Sequence, residues 1–250
     1  MSGHSKWATI KHKKGALDAK RGALFTKLIK ELTVAAKNGG GNPDANPRLR
    51  TVLQKAKEAN MPADNIDRAI KKGTGELPGV LYEETSYEGY APGGVALLID
   101  VLTDNKNRTT SEIRSILDKK GGSMSGAGSV AWQFTKKGFI VVKKAGNDED
   151  KLMGIALDAG ASDFNATDDS YEISTEPNDF EKVKKALADA GIAAESAEVT
   201  KMAANLVKVT DLAQARAITA LMENLEDHDD VQNVYSNFDI PDNILQELAK

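Results

Sequence analysis

The sequence predicts an α+β protein: an N-terminal three-helix domain followed by two ferredoxin-like α/β domains, one inserted in the other. Three observations carry this reading. The first 72 residues hold three stretches with apolar side chains at helical spacing. Residues 138–202 run β-α-β-β-α-β, the order of a ferredoxin-like unit. The segments on either side, 94–134 and 205–237, are each too short of strands to complete a sheet alone. Joining them makes the middle series an insertion. The division is residues 1–79 for a basic arm and helical domain, 80–134 plus 205–250 for a discontinuous α/β domain, and 135–204 for the inserted one.

The elements follow in order. Met1 to Gly15 reads as a polar arm. A helix is predicted from Ala16 to about Lys37, because Leu17, Leu24, Leu28, Leu32 and Ala35 recur on one face. Asn38-Gly39-Gly40-Gly41-Asn42-Pro43 stops it. Asn46-Pro47 reads as an N-cap with Pro in the first helical position, ahead of Leu49, Val52, Leu53 and Ala56. A short third helix runs from Ala63 to Lys72 and ends at Gly73. Tyr82–Tyr90 and Val95–Thr103 read as strands around the turn Ala91-Pro92-Gly93-Gly94. Thr109-x-x-Glu112 has capping-box spacing for a helix from about Thr110. Val130–Phe134 reads as a strand. In the insertion, Phe139–Val142, Ala161–Ala166, Tyr171–Ser174 and Ala194–Lys201 are strands, and Glu149–Asp158 and Asn178–Asp189 are helices. Asn205–Val209, Asp211–Leu225 and Val231–Asn237 close the chain as strand, helix and strand.

Charge is divided along the chain. Residues 1–72 hold 16 Lys or Arg against 6 Asp or Glu, a formal +10; the remainder is −14, and the net −4 conceals both. A basic block on an acidic protein marks a polyanion-binding module. The acidic part repels phosphate, which confines contact to the basic end. There is no Cys among the 250 residues, which excludes a disulfide framework, a thiolate metal site and a Cys nucleophile. The start is Lys-rich with no apolar run behind it, so it reads as mature protein without a signal peptide. Val95–Ile99 is far too short to cross a membrane. These features point to a cytoplasmic protein with no membrane partner.

No catalytic constellation emerges. The sequence lacks H-E-x-x-H, Walker A and EF-hand patterns. The Gly/Ser run from Gly121 to Ser129 lacks the residues of a P-loop or nucleophile elbow and reads as a flexible turn. Glu226-Asp227-His228-Asp229-Asp230 reads as a solvated helix end rather than a cation site. We therefore expect no enzyme activity, metal, cofactor or small-molecule substrate.

The basic block is more informative. Lys13, Lys20 and Lys27 are seven apart and share one helical face, flanked by Lys14 and Arg21 and extended by Lys30. That face is expected to point away from Leu24, Leu28 and Leu32, towards solvent. Trp7 lies among Lys6, Lys11, His12, Lys13 and Lys14. It either stacks on an unpaired base while the cations hold phosphates, or anchors the arm on the helices. The predominance of Lys favours general phosphate attraction over bidentate reading of guanine. A second candidate patch is Lys106 and Arg108 at a helix N-terminus. Tyr87 and Tyr90 are candidates for a recognition turn.

At these segments the chain resembles a known family. Ser2-Gly3-His4-Ser5-Lys6-Trp7-Ala8-Thr9-Ile10-Lys11-His12-Lys13-Lys14 is similar to the opening signature of the YebC family. The match continues at Phe25-Thr26-Lys27-Leu28-Ile29-Lys30-Glu31, Asn46-Pro47-Arg48-Leu49-Arg50, Asn60-Met61-Pro62 and Tyr87-Glu88-Gly89-Tyr90. It resumes at Pro92-Gly93-Gly94, Thr103-Asp104-Asn105, Asn107-Arg108-Thr109 and Gly128-Ser129-Val130-Ala131-Trp132. Ala91 departs from a usual Gly, and Met124-Ser125-Gly126-Ala127 departs from the pattern before Gly128. The resemblance implies three domains and no enzymatic activity. It implies a DNA-binding transcriptional regulator; other members resemble translation factors, a mitochondrial one activating synthesis of a cytochrome oxidase subunit and bacterial ones helping ribosomes through proline-rich stretches.

The expectation is thus a non-catalytic nucleic-acid-binding regulator of gene expression, acting on DNA in transcription. The alternative is a ribosome-associated factor that binds ribosomal or transfer RNA. A third, from another class, is a metal-dependent hydrolase on the acidic α/β surface.

Overall fold

The computed structural model describes residues 17–248. They form two compact units, residues 132–206 and residues 17–131 together with 207–248. The chain is α+β, as its periodicities predict.

The larger unit begins with three helices: α1 (Leu17–Gly39), α2 (Pro47–Glu58) and α3 (Ala63–Thr74). Leu28, Leu32, Leu49, Val52, Ala56 and Ala69 are buried together, so each helix contributes its apolar stripe to one small core. Asn46 does two jobs. Its side-chain oxygen accepts from the Leu49 amide at 3.0 Å, capping α2. Its amide nitrogen donates to the carbonyls of Ala35 at 2.8 Å and Gly40 at 2.9 Å, tying the end of α1 to the start of α2. Gly73 does not end α3. It lies inside the helix, where an added Cβ would sit 2.3 Å from the Thr33 carbonyl oxygen. The close approach of α1 and α3 is what demands glycine there. The left-handed cap is Gly75, at φ 83°.

Next come β1 (Glu83–Ala91), β2 (Val95–Thr103), α4 (Lys106–Lys119) and β3 (Ser123–Ser125). The turn between β1 and β2 takes Gly93 and Gly94 to positive φ, which only glycine adopts without strain. α4 starts earlier than the Thr109-x-x-Glu112 spacing predicts. Its cap is Asn105, whose side chain accepts from the Arg108 amide at 3.1 Å. The segment expected as a strand at Val130–Phe134 is a 3₁₀ turn over Ala131–Gln133.

The chain then forms the smaller unit: β4 (Phe134–Lys143), α5 (Glu149–Ala159), β5 (Ala161–Ala166), β6 (Ser170–Thr175), α6 (Phe180–Asp189) and β7 (Ser196–Ala203). Its sheet is antiparallel in the order β5-β6-β4-β7, the ferredoxin-like arrangement the order of elements predicts. Ile140, Val142, Leu152, Ile173, Val183 and Leu187 fill its core.

Returning to the larger unit, the chain adds β8 (Val207–Lys208), α7 (Leu212–Glu226), β9 (Val231–Ser236), β10 (Phe238–Asp239) and α8 (Asp242–Leu248). β9 pairs antiparallel with β2, from Leu97 opposite Ser236 to Val101 opposite Val231. This pairing completes the sheet β3-β1-β2-β9. β2 is central and almost wholly buried. Leu97, Ile99 and Val101 pack with Ile113 and Leu117 of α4 and with Ile218, Leu221 and Leu225 of α7. The pairing also brings the loop after α7 beside α1 and the start of α4, which positions the site below. Among the described residues, no helix is long and apolar enough to cross a membrane.

Candidate nucleic-acid interface

Six of the expected contact residues, Lys6, Trp7, Lys11, His12, Lys13 and Lys14, lie outside the described residues. Lys20 falls in the first turns of α1, and Arg21 follows it, exposed, with its guanidinium 5.5 Å from the centre of the Phe25 ring. That cation–π contact holds the side chain along the helix.

The rest of the α1 stripe is not on a solvent face. Lys30 is buried. Its ammonium donates to Asp230 Oδ1 at 2.5 Å and to the Asp229 carbonyl at 2.9 Å, and it lies 5.7 Å from the centre of the Tyr82 ring. Lys27, half-buried one turn earlier, donates to the Glu226 carbonyl. The heptad reading placed both on an open face. The loop after α7 covers that face with carboxylates and the free carbonyls of a helix end, where cations are favoured.

Asp230 is the centre of this arrangement. Its Oδ2 accepts from Arg108 at 2.8 Å and from Thr109 Oγ1 at 2.6 Å. Burial alone would push its carboxyl up, but the hydrogen bonds from Lys30, Thr109 and Arg108 outweigh burial and hold it well below the usual carboxylate range. Arg108 is raised in turn by its hydrogen bonds to Asp230 and Asp104, despite the opposing effect of burial. It also lies 3.8 Å from Glu112. Lys106 is exposed and pairs with Glu83 at 2.7 Å. The second candidate patch is therefore neutralised from within. Its helix N-terminus is capped by Asn105, whose own amide donates to Thr103 Oγ1 at 2.9 Å.

A cleft of about 510 Å³ opens here between Thr26, Lys30, Tyr82, Asp104, Arg108 and the 227–230 loop. Glu112, His228 and Asp230 each bring a ligand-type atom within 4.8 Å of the others. Their existing bonds do not suit a metal. Both Asp230 oxygens already accept from cations, and His228 Nδ1 accepts from the Asp230 amide at 3.1 Å. That leaves His228 Nε2 as the N–H facing Glu112 Oε2 at 2.9 Å, a donor rather than a ligand. The arrangement is an ion-pair network built on the buried Lys30–Asp230 pair with Arg108 at its exposed edge, and the reading of residues 226–230 as a solvated helix end is corrected. A sequence signal did exist: an acidic run able to neutralise a lysine stripe.

The aromatic turn is also corrected. Tyr87 and Tyr90 sit within β1, and only Pro92–Gly94 form the turn. The Tyr87 hydroxyl meets Thr110 Oγ1 at 2.8 Å, fixing β1 to α4. Between the two tyrosines, Glu88 is buried. Its carboxylate accepts from the amides of Gly128 and Val130, both at 2.6 Å, and Ala131 at 2.8 Å. Burial would raise this carboxyl too, but the Val130, Gly128 and Ala131 amides outweigh it and hold it low. The Gly/Ser run read as a flexible turn is thus folded around an anion of the protein itself.

Comparison with known proteins completes this picture. The family model described as the TACO1/YebC protein N-terminal domain matches residues 5–76, and that of the TACO1/YebC second and third domain matches residues 82–238. A protein of Desulfatibacillum aliphaticivorans named "Probable transcriptional regulatory protein" is 59% identical over 99% of this chain and all of its own. One of the same name from Dictyoglomus turgidum is 56% identical over the whole of both chains. The crystal structure of a conserved hypothetical protein from Aquifex aeolicus is 46% identical, with a TM-score of 0.79, over 91% of this chain and 94% of its own.

Proposed function

Because the chain belongs to the TACO1/YebC family, we propose that it is a nucleic-acid-binding regulator of gene expression, acting without catalysis in the cytoplasm and on DNA in transcription control. One observation carries the proposal: the first 72 residues hold a formal +10 on a protein whose remainder is −14. Only the basic end attracts a phosphate backbone. The relatives' shared name supports the regulatory reading.

Within that end, we assign the contact to the arm, Lys6, Trp7, Lys11, His12, Lys13 and Lys14, and to Lys20 and Arg21 at the start of α1. Lys27, Lys30 and Arg108 are left out, since their charge is engaged inside the protein. We also propose that the three segments 1–79, 80–134 with 205–250, and 135–204 divide the work, the two acidic ones limiting how the basic end docks.

Two measurements test this. The first is binding of the full chain to duplex DNA and to structured RNA across a salt series. If about six cations neutralise phosphates, log K falls against log salt with a slope between about −4 and −5. A flat response overturns the proposal. The second is crosslinking in cells followed by sequencing of the bound nucleic acid. Promoter DNA supports transcription control. Ribosomal or transfer RNA replaces it with the translational reading, which the interleaving of Trp7 with lysines favours, since an unpaired base can stack on an indole while the cations hold phosphates.

A further inference from the structure

With Lys27 and Lys30 of α1 turned inward, most of the exposed positive charge of the helical part lies elsewhere. α2 has a buried face made by Leu49, Val52 and Ala56. Every other side chain from Pro47 to Glu58, apart from the partly buried Leu53, is exposed. Four of these are cations: Arg48, Arg50, Lys55 and Lys57. Glu58 is the one carboxylate of the helix, and Gln54 Nε2 donates to it at 2.9 Å.

The helix period sorts the cations into two rows. Arg50 and Lys57 are seven residues apart, and so are Arg48 and Lys55; each row spans roughly 10 Å at 1.5 Å per residue. The strip between them carries Pro47, Thr51, Gln54 and Glu58, so the rows flank the exposed face and a single carboxylate, at the C-terminal end, lies between them. The first turn is held in place. Arg50 donates through Nε to the Pro43 carbonyl at 3.1 Å and through a terminal nitrogen to the Asp44 carbonyl at 2.8 Å, keeping its full charge. Arg48 pairs with Glu84 of β1. Lys55 and Lys57, at the other end, are exposed and make no ion pair among the described residues.

A solvated helix face normally mixes both signs, which gains a few tenths of a kcal/mol per i,i+4 pair and avoids self-repulsion. α2 forgoes this at every exposed position but one. A face with four cations to one carboxylate, its first turn held in place, matches a partner bearing closely spaced negative charge.

We infer that the outward face of α2 is a second contact surface for a nucleic-acid backbone, with Lys55 and Lys57 as its phosphate-binding residues. The inference rests on the nucleic-acid-binding reading above and adds a surface the arm does not contain. Phosphate contacts of this kind position a nucleic acid without reading its sequence.

The test is the double variant Lys55→Gln/Lys57→Gln in the full chain. Glutamine is a good helix former at exposed positions, so α2 remains intact, which circular dichroism checks. Binding is measured against duplex DNA and against structured RNA over a salt series. Two lost phosphate contacts reduce the magnitude of the log–log slope by about 1.8 on duplex DNA, or about 1.4 on single-stranded segments. Near 0.1 M salt this corresponds to a loss of roughly tenfold or less per lysine, equal for unrelated sequences. The variant Lys182→Gln/Lys185→Gln, with the same charge change in the smaller unit, controls for net charge. An unchanged slope with the wild-type chain binding normally overturns the α2 surface and leaves the general reading standing. The same loss in both double variants also overturns it, by reducing the effect to net charge. Absence of binding by the wild-type chain overturns both.

Discussion

Lys30 Nζ and Asp230 Oδ1 lie 2.5 Å apart across 200 residues of sequence, and both residues are buried. The contact holds the first helix against the loop that follows α7, and it sets a limit on function. A lysine engaged in this way has already exchanged its hydration for a carboxylate and is a poor candidate for phosphate.

Removing one member of the pair is predicted to destabilise the larger unit. Asp230→Ala strands Lys30 and leaves Thr109 and Arg108 without their common acceptor, at a cost of about 3–5 kcal/mol. Replacing both members, as Lys30→Met with Asp230→Leu, recovers much of that loss, because no charge is left buried alone. Urea unfolding followed by circular dichroism measures each. Losses that simply add in the double variant would show that the two residues do not act as a pair.

Much of the fold could be read before the structure, because its signals are local. Asn46-Pro47 announces a cap within two residues, and the β-α-β-β-α-β order of the insertion announces its sheet. The site was harder to read for a physical reason. Helical spacing places Lys27 and Lys30 off the Leu28 and Leu32 core stripe of α1, though Leu24, expected on that stripe, is exposed; periodicity cannot say what covers the lysines' side. The cover comes from residues 226–230, about 200 positions later, and their composition is that of any solvated helix end. Glu88 was invisible in a different way. Its partners are backbone amides, which every residue but proline possesses, so nothing in the identities of residues 128–131 reveals a carboxylate cradle.

The Glu88 cradle makes stability depend on acid. Three amides hold its folded carboxyl below the unfolded value, after overcoming burial. A group lowered on folding contributes stability that is complete above the unfolded value, about 4.3 for Glu, and is lost as pH falls through the lower folded value. Asp230, lowered likewise, acts in the same direction. Wild-type stability should therefore fall steadily below about pH 4. Glu88→Gln should cost about 1.5–3 kcal/mol at pH 7 and show a shallower decline in acid, so that the two curves converge. Parallel curves between pH 6 and pH 3 would remove Glu88 from the account.

Gly73 sets two opposed effects against each other. Alanine in a helix interior is favoured over glycine by about 1 kcal/mol. Here the new methyl would stand 2.3 Å from the Thr33 carbonyl oxygen and 2.8 Å from the Ala36 Cβ. Backbone cannot swing aside as a flexible side chain does, so α1 and α3 must separate, at a cost of about 1–3 kcal/mol. The clash should win, and Gly73→Ala should lower the unfolding midpoint. Gly22→Ala on α1, with nothing near the added methyl, should leave the midpoint unchanged or raise it. A stabilised Gly73→Ala variant would mean that the two helices are free to part.

Arg21 and Lys30 lie nine residues apart on α1, yet neutralising them should have different consequences. Arg21 is exposed, with its guanidinium over Phe25 and its charge open to solvent. Arg21→Gln should leave stability within about 0.5 kcal/mol, the usual range for surface changes. It should reduce the magnitude of the salt slope of nucleic-acid binding by about 0.7 to 0.9, the share of one phosphate contact. Lys30→Gln should do the reverse, lowering stability because the buried Asp230 carboxylate loses its ammonium partner, while leaving the salt slope of the folded protein unchanged. Measuring both quantities for both variants separates a cation that meets phosphate from one that meets the protein. A change of salt slope in Lys30→Gln at temperatures where it is fully folded would return Lys30 to the binding surface and show that the ion pair opens when nucleic acid binds.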